Sequence, residues 1–312
     1  MDCGVIEKVS SSQVARKLAQ MCREKGWDVR SILLLTPLEL AELLEAEVEQ
    51  AESLLRRLRD AVPVEVARGG KLREYISRKR EHPVLRTRVE EFDEKTPWGG
   101  VRFGAVYGFA GEYGTGKSLM AMQIAAYAAA EGRRVVYVYT EGQFNEHAFS
   151  KILARAARET SQPEEVIADR IEVYDVANSY ALQQLLVSIP SDVQVIIVDS
   201  IIEPFRAEFK GRELLQRRQQ ELHYAVNLLK RRCVAFGALA VVTNQVMDVP
   251  EVFAVGVKRP TGGNVLAHTI DYIFMMHRPN KKKLEGVMWP LDVPGMSPEE
   301  EIRYTIADDG LR

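Results

Sequence analysis

With 312 residues, 46% hydrophobic and 28% charged, the chain can bury a large core plus a small accessory unit, which excludes wholesale disorder. A formal net charge of −2 excludes a bulk polycation, so any nucleic-acid contact must come from a local basic stripe. Three widely spaced cysteines (Cys3, Cys22, Cys233) without a C-x-x-C pair predict neither a disulfide framework nor a zinc site, and point to a reducing compartment. The chain opens without a basic-then-apolar leader and holds no apolar run of spanning length, so a cytoplasmic protein without a membrane partner is expected.

In chain order, residues 1–62 are expected to form a small all-helical domain. "SSQVARKLAQMCREKGW" sets Val14, Leu18 and Met21 near one helix face behind Ser12 as a cap, and Thr36–Pro37 is a good N-cap and first-turn pair. A unit this short and charged is a binding module rather than an enzyme. Residues 63–103 change character: between Arg68 and Arg88 eight cations face two acids, punctuated by Gly69, Gly70 and Pro83. This predicts a basic linker with a helix near 71–80, either a solvated charged helix or a phosphate- or partner-facing one.

From Gly104 to the C-terminus short apolar strands alternate with helices. "GAVYGFAG", "RRVVYVYTEG", "DRIEVYDV", "VQVIIVDS" and "ALAVVTNQV" are the strands, with helices between them, including one at about 146–160 and one at about 212–236. Strands apolar on both faces indicate an α/β fold with a mostly parallel central sheet covered by helices on each side.

"GEYGTGKS" fits G-x-x-x-x-G-K-[ST] after a strand and before a helix. Gly111, Gly114 and Gly116 let the backbone curl so that N–H groups, with those of Glu112, Tyr113 and Thr115, face a polyphosphate. Lys117 supplies a charge to the β- and γ-phosphates, and the Ser118 hydroxyl is a ligand for Mg²⁺. Asp199, closing "VIIVDS", is placed to support the same ion. Glu141, closing "VVYVYTEG", is placed to orient a water for attack on the γ-phosphate. Gln245 ends another strand where an amide can sense that phosphate. ATP and Mg²⁺ are therefore the expected cofactors. The adjoining segment, "TNQVMDVPEVFAVGVKRPTGGN", is too apolar for an ordinary loop. It is either base-contacting surface or a packed hydrophobic hairpin.

"GEYGTGKS", "TEG", "VIIVDS" and "VTNQV" in this order resemble the core of the RecA-type strand-exchange ATPases, nearest their archaeal RadA branch. "PFRAEFKGRELLQRRQQEL" resembles the family's first DNA-binding loop, "VMDVPEVF…RPTGGNVLAH" its second, and "PLDVPGMSPEEEIRYTIADDGL" its C-terminal strands. The resemblance covers nearly the whole chain. It implies a RecA-like P-loop ATPase core over 104–312 behind the helical domain and a linker over 63–103 carrying a polymerisation element. It further implies a DNA-dependent ATPase that forms filaments on single-stranded DNA, pairs it with duplex DNA and exchanges strands. Arg206, Arg212 and Arg218 then fall in the first DNA-binding region, and Val252, Phe253, Lys258, Arg259, Gly262 and Gly263 in the second. Asp292 and Pro294 match a segment that covers the adenine held by a neighbouring protomer.

Departures from the family pattern point to an alternative, a paralogue that binds ATP and single-stranded DNA and assists another recombinase. Asn145 and Ala148 stand where the family carries arginines, one of them against the adenine. Gly256 replaces a cation-linked aspartate, with Lys258 two residues on. "LEAEVEQA" replaces the glycine hairpin of the N-terminal domain. Val66 stands near the place of a polymerisation phenylalanine, a loss of apolar area of about 1–2 kcal/mol per contact.

Overall fold

The computed structural model describes residues 3–62, 70–142, 144–211, 213–248, 258–260, 269–280 and 282–312, with only the backbone of 247, 248 and 258–260. Five helices come first: α1 (Gly4–Val9), α2 (Gln13–Lys25), α3 (Val29–Ile32), α4 (Pro37–Leu44) and α5 (Val48–Ala61). Three of them, α2, α3 and α4, begin at side-chain caps. The Ser12 side chain accepts from the Ala15 amide, and Thr36 and Glu39 form a reciprocal capping box ahead of Pro37. Ala51, Leu54, Leu55 and Leu58 bury one stripe of α5 at helical spacing.

One sequence expectation needs correction here, that the cysteines stay unpaired. The buried stripe of α2 is Ala15, Leu18, Ala19 and Cys22, leaving Val14 and Met21 only half-buried. That rotation brings Cys22 against Cys3, and the two form a disulfide with their Cα atoms 5.9 Å apart. Spacing in sequence carried no sign of it, because the turn between α1 and α2 supplies the proximity. The compartment inferred from unpaired thiols loses its premise. Cys233 is buried and free.

The helical unit is fastened to the C-terminal part of the chain. The Ser31 hydroxyl donates to the Ile189 carbonyl at 3.0 Å, and the Arg231 guanidinium pairs with Glu39 at 2.8 Å. Asp28 receives Arg30 and the Ser191 hydroxyl. Burial raises the pKa of its carboxyl, but those hydrogen bonds outweigh burial and hold it well below the usual carboxylate range.

A helix α6 (Leu72–Arg80), within a residue of its expected place, leads through β1 (Val84–Leu85), α7 (Glu90–Lys95) and β2 (Val101–Arg102) into the sheet. The chain continues as β3 (Ala105–Gly111), α8 (Lys117–Ala130), β4 (Val135–Tyr139), α9 (Glu146–Thr160), α10 (Glu164–Ala168), β5 (Ile171–Asp175), α11 (Ser179–Ser188) and β6 (Val195–Asp199). It then forms α12 (Glu203–Glu208), α13 (Leu215–Phe236), β7 (Leu239–Asp248), β8 (Lys258–Pro260), β9 (Tyr272–His277), β10 (Glu285–Asp292), β11 (Ile302–Ala307) and β12 (Gly310–Leu311).

The strand order is β12-β11-β10-β9-β3-β7-β6-β4-β5, with β8 paired only to β7. The run from β9 to β5 is parallel, and β10 to β12 extend it antiparallel. Alternation along each strand divides the core. Val106, Val136, Val138, Ile196 and Val198 face α11, α13 and the N-terminal helices, while Tyr107, Phe109, Tyr137 and Ile197 face α8 and α9. That division is why the strands are apolar on both sides. The helix expected from 212 begins at Leu215 and ends at Gly237, whose φ of +68° suits only a residue without Cβ strain. Part of the apolar segment after Gln245 is a ladder, since Val246 faces Pro260 and Asp248 faces Lys258 in the β7–β8 pair. Residues 249–257 and 261–268, and Val66, lie outside the described residues. No helix among the described residues is long and apolar enough to cross a membrane.

Thiol titration of the denatured, unreduced chain is expected to find one thiol, Cys233, and three after reduction; three without reduction would show Cys3 and Cys22 unpaired. Closing a loop of this length contributes about 3 kcal/mol, so reduction should lower the melting temperature by several degrees.

Candidate nucleotide-binding site

The carboxyl ends of the parallel strands set the site. Sheet register puts Gly111 of β3 beside both Met276 of β9 and Gln245 of β7, and Asp199 of β6 beside Tyr139 of β4. Ligands of such sheets bind beyond these ends.

Between β3 and α8 the chain turns through Gly111–Ser118. A Cβ on Gly111 would lie 2.3 Å from the Met276 carbonyl oxygen, so no other residue fits there. Gly114 and Gly116 have φ of +77° and +94°. Three carbonyls of the loop accept side-chain hydrogen bonds. The Tyr304 hydroxyl donates to the Thr115 carbonyl at 2.6 Å, and Arg278 donates to the Gly114 carbonyl at 2.9 Å. Lys117 Nζ and the Thr115 hydroxyl donate to the Glu112 carbonyl at 2.7 and 2.9 Å. With these three carbonyls engaged, the loop can present N–H groups at the start of α8, a concavity suited to anionic phosphate. Tyr113 stands out at 95% exposure. Burial lowers the pKa of the Lys117 ammonium, and the nearby Asp199 and Glu141 charges oppose that shift.

Asp199 is 5% exposed. Ser118 Oγ lies 3.2 Å from its Oδ1, the Thr243 hydroxyl donates to the same oxygen, and the Tyr137 hydroxyl donates to Oδ2 at 2.8 Å. The buried Tyr137 phenol has its pKa raised well above the usual value by burial and by Asp199, so it stays a donor. A carboxylate and a hydroxyl are the hard oxygen donors Mg²⁺ prefers. Among the described residues no cluster of three His, Cys, Asp or Glu could hold a metal. These two groups fit an ion completed by nucleotide phosphates and water.

Glu141 comes just after β4 and meets Gln245, whose Nε2 donates to both of its carboxylate oxygens at 3.0 and 3.1 Å. Gln245 Oε1 in turn accepts from Arg206 Nη1 at 3.1 Å. Arg206 sits on α12, the short helix that leaves β6 just past Asp199, and Glu203 lies 3.8 Å from its guanidinium.

The structure thus brings Gly111–Ser118, Glu141, Asp199, Gln245 and Arg206 into one crevice. Asp292 and Pro294 are not part of it. Asp292 pairs with Ile273, whereas Val287, at the other end of β10, pairs with His277 near the loop. Both residues are exposed, and Ile273 is level with Gly108 of β3, three residues before the loop begins at Gly111. Arg218 is half-buried in the first turn of α13. Lys258 and Arg259 are placed by backbone only. Arg212, Val252, Phe253, Gly256, Gly262 and Gly263 lie outside the described residues. Asn145, at the place of an expected arginine, caps α9 by accepting from the Ala148 amide at 3.0 Å. Phe144 packs beside it against Tyr137, Tyr139 and Phe149 with centroids 5.7–6.0 Å apart.

Sequence reasoning missed Tyr137, Thr243, Arg278 and Tyr304. One signal was present, a glycine inside a strand. A Cβ on Gly286 would meet the Tyr304 ring at 2.2 Å, so that glycine gives the ring its place across the β10–β11 pair.

A parallel α/β sheet with this loop, lysine and strand-end carboxylate defines the class, a RecA-like phosphate-loop nucleotide-binding protein. The Rad51 family model matches residues 78–312, and the chain belongs to that family. It is 29% identical over 318 aligned residues to the DNA repair and recombination protein RadA of Methanoculleus marisnigri, covering 96% of each chain. Against the protein of the same name from Methanocorpusculum labreanum it is 26% identical, covering 94% of each.

Tyr304→Phe should keep the fold and weaken binding of a fluorescent ATP analogue about three- to tenfold, the worth of one hydrogen bond. Gly286→Ala, which displaces the whole ring, should weaken it at least as much. Unaltered affinity in both would show that the hairpin does not brace the loop.

Proposed function

We propose that the chain is an ATP-dependent recombinase that assembles on single-stranded DNA in the cytoplasm and promotes homologous pairing and strand exchange. The observation that carries this reading is the convergence of Lys117, Ser118, Asp199, Glu141 and Gln245 at the strand ends beside a helix bearing Arg206. The loop N–H groups and Lys117 take the phosphates of ATP. Ser118 and Asp199 would hold Mg²⁺, whose charge offsets that of the β- and γ-phosphates. Glu141 orients the attacking water, and Gln245, in contact with it, registers the γ-phosphate. DNA lies along Arg206, Arg212 and Arg218 and the segment 249–263, where backbone and side chains meet phosphates and bases.

Asp292 and Pro294, exposed and at the far end of β10 from the pair Val287–His277, serve a neighbour's nucleotide in an oligomer. Residues 1–62 act as an accessory domain docked on α11 and α13, joined by the basic linker over 63–103.

A specific observation favours a second reading, a paralogue that binds ATP and DNA but assists another recombinase. Asn145 is committed to capping α9 and Ala148 carries no charge, so neither supplies an arginine to the adenine. Joint-molecule formation by the chain alone separates the two: its presence supports the recombinase, and its absence alongside stimulation of a second recombinase supports the accessory role.

Lys117→Ala is expected to abolish ATP-dependent DNA binding in filter-binding assays. Glu141→Gln should retain nucleotide binding while slowing DNA-stimulated hydrolysis about 100-fold or more. Full ATP responsiveness in Lys117→Ala would remove the phosphate-loop assignment.

A further inference from the structure

The side chain of Arg206 does not point away from the nucleotide crevice, as a plain DNA ligand would. It turns back to the end of β7 and donates to Gln245 Oε1 at 3.1 Å. The orientation of that amide is fixed by chemistry: a guanidinium only donates and a carboxylate only accepts, so the oxygen must face Arg206 and the nitrogen Glu141. Both ends of Gln245 are therefore engaged, and both oxygens of Glu141 receive the same Nε2. A γ-phosphate that draws the Gln245 Nε2 toward itself turns the whole amide, and the turn withdraws Oε1 from Arg206. Glu203, the nearest acid at 3.8 Å, is a weak substitute on the surface of a short helix. With Gln245 gone the guanidinium, whose side chain is one-third exposed, has donors to offer to solvent or to an anion.

We propose that Arg206 is a conditional DNA ligand. Gln245 holds it while the γ-phosphate site is empty, and nucleotide binding releases it to a DNA phosphate. The inference rests on reading the crevice as an ATP site flanked by DNA, and it names one route between them. By reciprocity, DNA that captures Arg206 frees Gln245 and thereby favours the γ-phosphate. The same exchange uncovers Glu141 for its water. Arg206 is thus a positioning residue for hydrolysis as well as a ligand.

The test measures single-stranded DNA affinity by fluorescence anisotropy, with and without a non-hydrolysable ATP analogue, for the full chain and its variants. Arg206→Ala is expected to lose at least tenfold more affinity in the presence of the analogue than in its absence, so the coupling factor falls about tenfold. Arg206→Lys, which keeps the charge, should show coupling between wild type and Arg206→Ala. Gln245→Leu should lose coupling too, and the double variant should lose no more than the larger single loss, since the two act as one unit. An equal loss in both nucleotide states would make Arg206 an ordinary phosphate ligand and overturn the proposal, as would additive losses in the double variant or no rescue by lysine. A wild-type chain that binds both ligands without mutual effect would overturn it while leaving the ATP site standing. A wild-type chain that binds no ATP analogue would sink both.

Discussion

A nearly buried carboxylate whose side-chain hydrogen bonds, among the described residues, come from hydroxyls is the constraint on which the site is built. Asp199 ends β6 and receives Ser118, Thr243 and Tyr137, residues from a helix and two other strands. Each donor is fixed by its own element, so the carboxylate has little freedom to turn. A lysine among those partners would have made a closed ion pair. Hydroxyls instead satisfy the oxygens while leaving the negative charge for something that enters. Lys117 lies close enough for its titration to sense Asp199 and Glu141, yet its own hydrogen bond goes to a loop carbonyl. Lys117 and Arg206 therefore stand apart from the carboxylates of Asp199 and Glu141, an arrangement that suits a phosphate chain carrying a metal ion.

That arrangement needs a rigid sheet, and the two-sided burial of the strands provides it. Every second residue of β4 and β6 packs toward α8 and α9, and the remainder pack toward α11 and α13. A one-residue slip would exchange the faces and carry Asp199 away from Ser118. The N-terminal helices add to one of these cores, so their packing also stiffens the face that carries α11 and α13. The ion pair of Glu39 with Arg231 and the bonds at Asp28 hold the helical unit in a fixed relation to α13.

Much of this was legible in the sequence because backbone chemistry leaves few choices. Glycines at fixed offsets before Lys117, between an apolar strand and a helix, pointed to a phosphate loop, and Gly114 and Gly116 do have positive φ. Acids and amides at strand ends were readable for the same reason, since strand ends converge in a parallel sheet. The features that were not legible depend on contacts between distant segments. The Cys3–Cys22 bond arises from the rotation of α2, Tyr304 reaches Thr115 only through β10–β11 pairing, and Asn145 became a cap because α9 begins just after it. Arg206 shows the division most plainly. Its type and place suggested phosphate, whereas its observed partner is an amide across the sheet.

The back of the loop bears on how selective such a site is. Phosphate-binding N–H groups are useful only if their carbonyls do not compete for the inside of the turn. A free glycine-rich segment would sample both orientations, at a conformational cost of about 1–2 kcal/mol for each residue fixed. Here Tyr304 of β11 and Arg278, just past the end of β9, take two of those carbonyls from outside the loop. The extension therefore does more than close an edge. It carries the ordering of the loop into the folded sheet, so that the ordering is complete before any ligand arrives. A loop shaped in this way would spend less of a ligand's binding free energy on its own ordering.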